Sequence, residues 1–194
     1  MNRAAVPSLT IGIPCRVNEP RLDVTLESLL VACRHLALPT TLGIEIVICI
    51  NGWQGEEACP PLAAALQVSE RAAIPLRQYD ITATRPPDDS PPLSISVLCW
   101  RRLGKAIAWN AIRRWTASDL VIFCDADVRL GAEAVAALYT TLQSSPEAQL
   151  VASNEIPAVT AQDTWLRHAA ALPYRFYFHN VTGRLYIIDR KSVV

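Results

Sequence analysis

Apolar residues recur in two rhythms along this chain, and the rhythms alternate. Leu9-Thr10-Ile11-Gly12-Ile13-Pro14 reads as a short strand that Pro14 stops, since proline has no N–H to give to a ladder. After the turn Asn18-Glu19-Pro20, residues Leu22, Leu26, Leu29, Leu30, Cys33 and Leu36 fall at helical spacing and predict an amphipathic helix over 23–37. Ile44 to Ile50 is a second strand, ended by Asn51-Gly52. This is a β-α-β unit, so its strands are expected to be parallel with a right-handed crossover. A second helix is predicted within 57–72, after Cys59-Pro60-Pro61, and an edge-like strand from Pro75 to Ile81. Four prolines in 84–92 exclude helix and sheet and predict a surface loop. Ile95 to Leu98 reads as a short strand. Leu103, Ala106, Ile107, Asn110, Ala111 and Trp115 place a helix over Arg101 to Trp115. Gly131 to Leu142 is helical, with Glu133 in the first turn, where the helix dipole favours an anion. Gln149 to Ala152 is a strand, Thr164 to Leu172 a helix before Pro173, and Gly183 to Asp189 a last strand. The alternation of strand and helix predicts one doubly wound α/β domain.

Composition narrows the partners. A length of 194 residues suits one domain, and 51% hydrophobic against 19% charged residues predicts a packed core rather than a disordered chain. A formal net charge of zero gives no electrostatic argument for nucleic acid or an anionic membrane surface. No apolar run reaches the length of a membrane span, and the first residues lack the apolar core of a signal peptide. The six cysteines, Cys15, Cys33, Cys49, Cys59, Cys99 and Cys124, form no Cys-x-x-Cys pair, and most lie inside apolar runs. They read as buried small hydrophobes in a reducing cytosol, so a cytoplasmic location is expected.

The chemistry concentrates in Asp119-Leu120-Val121-Ile122-Phe123-Cys124-Asp125-Ala126-Asp127-Val128. An apolar run bounded by charge suits a parallel strand covered on both faces. Side-chain alternation then puts Asp125 and Asp127 on one side at the carboxyl end of that strand, where open α/β sheets bind ligands. Two carboxylates there repel each other, and a divalent cation such as Mg²⁺ or Mn²⁺ relieves the repulsion. The alternative is a pair of solvated aspartates in a strand-to-helix loop.

Four motifs in order resemble the family 2 glycosyltransferases of GT-A fold. They are Ile13-Pro14-Cys15-Arg16-Val17-Asn18-Glu19, Ile48-Cys49-Ile50-Asn51-Gly52, Gly104-Lys105-Ala106-Ile107-Ala108-Trp109-Asn110 and Asp125-Ala126-Asp127. The resemblance covers roughly 9–155, and the remainder matches loosely. It implies a GT-A-like doubly wound, mostly parallel sheet with helices on both faces, in a single domain over 1–194. Within it, about 9–155 would bind the nucleotide sugar and 156–194 would form part of the acceptor side. The implied activity is transfer of a sugar from a nucleotide-diphosphate sugar, often a uridine one, to an acceptor with inversion. The acceptor, whether glycan, lipid or small molecule, is not named by the sequence. The resemblance places Pro14, Asn18, Glu19, Asn51, Lys105 and Asp125 at the nucleotide sugar. It makes Asp127, with Asp125, the ligand of Mn²⁺ or Mg²⁺.

Each residue also has a structural reading. Asn18 and Glu19 either contact the nucleotide or form the turn and cap toward the helix. Asn51 offers a donor and an acceptor that suit a uracil edge, or belongs to an ordinary Asn-Gly turn. Lys105 is either a cation near a diphosphate or a solvated charge, and Asn110 holds a neighbouring loop. Trp165, Tyr174, Phe176, Tyr177, Phe178 and His179 either line an acceptor platform or cover core and sheet edge. The family's base motif, expected after a strand resembling Gly183 to Arg190, does not appear before Val194, and neither Asp163 nor Asp189 stands in its context. No catalytic base is assigned. A truncated chain, whose uncovered sheet edge would favour self-association, a partner chain that supplies the rest, or a catalytically incomplete nucleotide-binding or partner-binding module are the alternatives this leaves. A nucleotidyltransferase is disfavoured because Gly12 is the only glycine in residues 1–42, which leaves no glycine-rich phosphate loop.

Overall fold

In the computed structural model, residues 8–36, 43–55, 59–80, 93–145, 147–148, 150–152 and 185–189 are described. Burial on two faces sets the architecture. Strand β1 (Ser8–Arg16) turns Leu9, Ile11, Ile13 and Cys15 to one face, and β2 (Gly43–Asn51) adds Ile44, Ile46, Ile48 and Ile50 to the same layer. Helices α1 (Leu22–His35), α2 (Pro60–Ala72) and α4 (Ala134–Ser144) cover that layer. The opposite face carries Val47 and Cys49 of β2, Leu98 of β4 (Leu93–Trp100), and Val121 and Phe123 of β5 (Leu120–Cys124). Helix α3 (Lys105–Trp115) lies there, burying Ala108, Ala111, Ile112 and Trp115. With β3 (Leu76–Asp80), β6 (Leu150–Ala152) and β7 (Leu185–Asp189), the strands form one seven-stranded sheet in the order β3-β4-β2-β1-β5-β7-β6. The first five in that order run parallel, and β7 is antiparallel to both β5 and β6.

The order explains the placement of α3. From β1 the chain adds β2, β4 and β3 on one side and then returns to add β5 on the other. A right-handed crossover in the reversed direction needs its helix on the reversed face. The predicted α/β class and the parallel β1–β2 unit are both present.

Several boundaries differ from the sequence expectation. Pro14 does not stop β1. The β5 pairing ends at Gly12–Phe123, whereas the β2 pairing continues through Pro14–Cys49 to Arg16–Asn51. Pro14 therefore lies where β1 has lost one neighbour, which tolerates a missing N–H. The strand expected over 95–98 extends from Leu93 to Trp100 and is interior, between β3 and β2. Ser94 and Ser96 break its apolar run, yet both are buried, and the Ser96 hydroxyl donates to Glu45 Oε1 at 2.7 Å. Helix α3 starts at Lys105 rather than 101 because Gly104, at φ 136°, leaves helical space. Leu103 stays outside the helix, 70% exposed. Glu133 precedes α4 instead of entering its first turn, and its carboxylate pairs with His35 Nδ1 at 3.0 Å. The loop over 84–92, the helix over 164–172, the aromatic group from Trp165 to His179 and Asp163 lie outside the described residues.

All six cysteines are buried free thiols, as the apolar setting of most of them suggests. Burial pushes the Cys33 thiol up to about 12 from an ordinary 9.0. Burial, helped by Cys99, does the same for Cys49. Above pH 9 the unfolded thiols lose protons that the folded ones keep, so the unfolded state binds fewer protons and stability falls as pH rises toward 12. The urea midpoint is expected to drop between neutral pH and about pH 10.5, and the Cys33→Ala/Cys49→Val variant to drop less. An equal drop in parent and variant would assign the loss to other groups. Packing between α3 and β1 gives a second expectation. A Cβ on Gly12 would sit 2.6 Å from the Cγ2 of fully buried Ile112, whereas one on Gly43 meets nothing within 4 Å. Gly12→Ala should cost about 1–3 kcal/mol in chemical denaturation and Gly43→Ala close to nothing; equal effects would contradict this packing.

Candidate active site

The turns after β1, β2, β4 and β5 leave the carboxyl ends of parallel strands and enclose one cleft of about 780 Å³. Because strand order reverses at β1, the turns after β1 and β5 leave a crevice between them, the usual ligand position in open α/β sheets. Pro14, Asn18, Glu19, Asn51, Lys105, Asp125 and Asp127, the residues singled out from the sequence, all line it. Arg16, Val17, Leu103, Gly104 and Ala126 line it too and were not singled out. Arg16 had a legible signal, since it lies between Pro14 and Asn18 at the same strand end.

Strand β5 ends at Cys124, so Asp125 and Asp127 belong to the turn that follows, and strand alternation does not set their directions. They reach one cleft by another route. The buried Thr25 hydroxyl of α1 donates to the Ala126 carbonyl at 2.8 Å, and the Leu130 N–H donates to Ser28 Oγ at 3.1 Å. Two hydroxyls within α1 thus hold the acidic turn from behind. Nothing in the sequence marks them, because small polar residues inside a helical pattern read as surface.

Lys105, the first residue of α3, is not simply solvated. Its Nζ lies 2.6 Å from Asp125 Oδ1 and donates to Oδ2 at 2.7 Å, with side-chain exposures of 51% for Lys105 and 16% for Asp125. The ammonium also sits 5.3 Å from the centre of the Trp109 ring, within cation–π range. Beneath the turn, burial and the Asp125 and Asp127 carboxylates push the Cys124 thiol far up, so it stays protonated.

Asn51 is 3% exposed. Its Nδ2 donates to the Cys15 carbonyl at 2.6 Å, and its Oδ1 accepts from the Gly104 N–H at 3.2 Å. A carbonyl only accepts and an N–H only donates, so these partners fix the amide orientation. Both groups offered to a base edge in the sequence reading are engaged within the protein, tying the ends of β1 and β2 to the start of α3. Gly52, at φ 86°, completes this junction. Its N–H donates to the Arg102 carbonyl at 3.3 Å, and Leu103 packs where its Cβ would be. Glu19 performs the turn role, its Oε1 accepting from the Arg21 N–H at 3.1 Å, while Asn18 is exposed to the cleft. Asn110 is exposed on α3, and its side chain makes no hydrogen bond among the described residues.

Two carboxylate side chains suit a hard cation. Among the described residues, no group of three or more His, Cys, Asp and Glu side chains gathers to hold an ion. That donor set fits Mg²⁺ or Mn²⁺, which keep waters and share substrate phosphates, and does not fit a caged structural ion such as zinc.

No protein-family model and no curated protein matches the sequence. Solved structures do match. A mannosyltransferase from Pyrobaculum calidifontis, in complex with GDP-Man and Mn²⁺, aligns with a TM-score of 0.54 at 19% identity, over 97% of this chain and 46% of that one. Glucosyl-3-phosphoglycerate synthase from Mycobacterium tuberculosis, in complex with UDP, aligns with a TM-score of 0.56 at 16% identity, over 96% and 58%. The chain has the GT-A fold. It spans about half the length of these GT-A proteins. No helix among the described residues is long and apolar enough to cross a membrane.

The Asn51 junction is open to direct test. Asn51→Ala leaves a buried carbonyl and an N–H without their partner and is expected to cost roughly 2 kcal/mol in urea denaturation. Asn18→Ala, at an exposed position, should leave stability unchanged within about 0.5 kcal/mol. A neutral Asn51→Ala would show that the junction holds without the amide.

Proposed function

We propose that this chain is a family 2 glycosyltransferase that takes a nucleotide-diphosphate sugar, a UDP-sugar foremost, in the cleft between β1 and β5. The sugar passes with inversion to a hydroxyl of a glycan, lipid or small-molecule acceptor, and the enzyme works in the cytoplasm. One observation carries the reading: four segments far apart in sequence, each resembling a motif of that family, meet around one cleft at the carboxyl edge of a GT-A sheet. The GT-A proteins it resembles in shape were solved with GDP-Man and Mn²⁺ and with UDP.

In this reading Asp127 is the main ligand of a divalent cation, with Asp125 beside it. When bound, that cation neutralises charge developing on the leaving diphosphate. Lys105 and the N-terminal turn of α3 add positive charge on the same side. Pro14, Asn18 and Glu19 border the nucleotide, and Asn51 keeps the strand ends and Gly104 in place around it. Thr25 and Ser28 hold the acidic turn so that its carboxylates do not drift. The acceptor hydroxyl must give up its proton as it attacks. The cleft carboxylates are already committed, Glu19 to the Arg21 N–H, Asp125 to Lys105 and Asp127 to the cation, so no base is assigned among them. The same commitment favours a second reading, a nucleotide-binding or partner-binding module that does not turn over.

Calorimetric titration with UDP and GDP, with and without Mn²⁺, tests the site. Binding is expected to require Mn²⁺ and to weaken at least about tenfold in Asp127→Ala, the scale of a lost charge-assisted contact. Equal binding by Asp127→Ala would remove Asp127 from the metal site. Steady sugar transfer to any acceptor would eliminate the non-catalytic module.

A further inference from the structure

The Lys105–Asp125 contact occupies the carboxylate that a cation would use. Nζ is 2.6 Å from Oδ1 and 2.7 Å from Oδ2, so one ammonium engages both oxygens. An ammonium and a divalent cation on the same carboxylate repel each other, so each weakens the other's hold on it. Asp125 is the less mobile partner. It follows β5 directly, its side chain is 16% exposed, and the next residue's carbonyl is pinned by Thr25. Lys105 is half exposed on a long flexible stem, and the Trp109 face offers its charge a second resting place at 5.3 Å. A diphosphate entering the cleft would give the ammonium a stronger partner than one carboxylate.

We propose that Lys105 is a built-in competitor of the divalent cation, keeping Asp125 occupied until a nucleoside diphosphate draws the ammonium away. Cation binding is thereby conditional on the nucleotide. The inference rests on the metal-dependent reading of the cleft and adds an order to it: the cation is held weakly by the empty chain and well by the nucleotide-loaded one. Linkage makes the effect reciprocal, so Mn²⁺ tightens UDP by the same factor by which UDP tightens Mn²⁺.

Mn²⁺ titration followed by electron paramagnetic resonance, on the full chain with and without saturating UDP or GDP, reads this directly without any turnover. The parent is expected to bind Mn²⁺ weakly alone and roughly tenfold tighter with UDP, a factor typical of coupled sites. Lys105→Met should bind Mn²⁺ alone roughly tenfold tighter than the parent, with the UDP effect correspondingly smaller. Asp125→Asn in the Lys105→Met background should abolish that gain, and Lys105→Arg should behave like the parent. Circular dichroism on each variant confirms folding. If Lys105→Met folds but binds Mn²⁺ no tighter than the parent, while UDP still promotes Mn²⁺ binding, the competition is wrong and the metal reading stands. If neither parent nor Lys105→Met binds Mn²⁺ with either nucleotide, the metal-dependent reading falls and takes this inference with it.

Discussion

Strand β1 has parallel partners on both edges and helices over both faces, and that enclosure dictates what its residues can be. Leu9, Ile11 and Ile13 are fully buried against the α1 side. On the α3 side, Gly12 makes room for Ile112, and Thr10 is buried in a hydroxyl cluster with Thr116 and Ser118. Large residues on one face and small or hydrogen-bonded ones on the other let α3 approach the sheet closely. The enclosure ends just before Pro14, where the β5 pairing stops while the β2 pairing continues. That offset opens the space between the ends of β1 and β5, and the cleft occupies it.

Around the cleft, three carboxylates face two cationic side chains. Arg16 and Lys105 face Glu19, Asp125 and Asp127 across a small volume, and the Lys105–Asp125 pair ties the start of α3 to the end of β5. The acidic turn is held by hydrogen bonds that belong to the scaffold, from Thr25 and Ser28 of α1. Asn51 does the equivalent for the opposite wall, bonding β1 and the α3 N-terminus from the end of β2. Anchored walls with one long, flexible lysine between them suit a site that exchanges charge partners on binding, since little of the protein has to move.

The sequence by itself determined the layer order, the helical face of α1, the parallel β1–β2 unit and the burial of the six cysteines. Each depends on local periodicity or on side-chain hydrophobicity, which are properties of short windows. The resemblance of four short motifs to one family also pointed to the segments that line the cleft, which parallel strands bring together at one edge of the sheet. Only the tertiary structure decided the rest. The extent of β1 through Pro14 depends on where a neighbouring strand stops. The full length of β4 depends on its ladder with β2, which runs from Leu93 beside Ile44 to Trp100 beside Asn51 and which no window of β4 contains. The tasks of Thr25, Ser28, Asn51 and Lys105 were equally out of reach, because a hydroxyl, an amide or an ammonium has the same sequence signature in water as against a partner a hundred residues away. Its role is fixed by which atom the fold brings within hydrogen-bond distance.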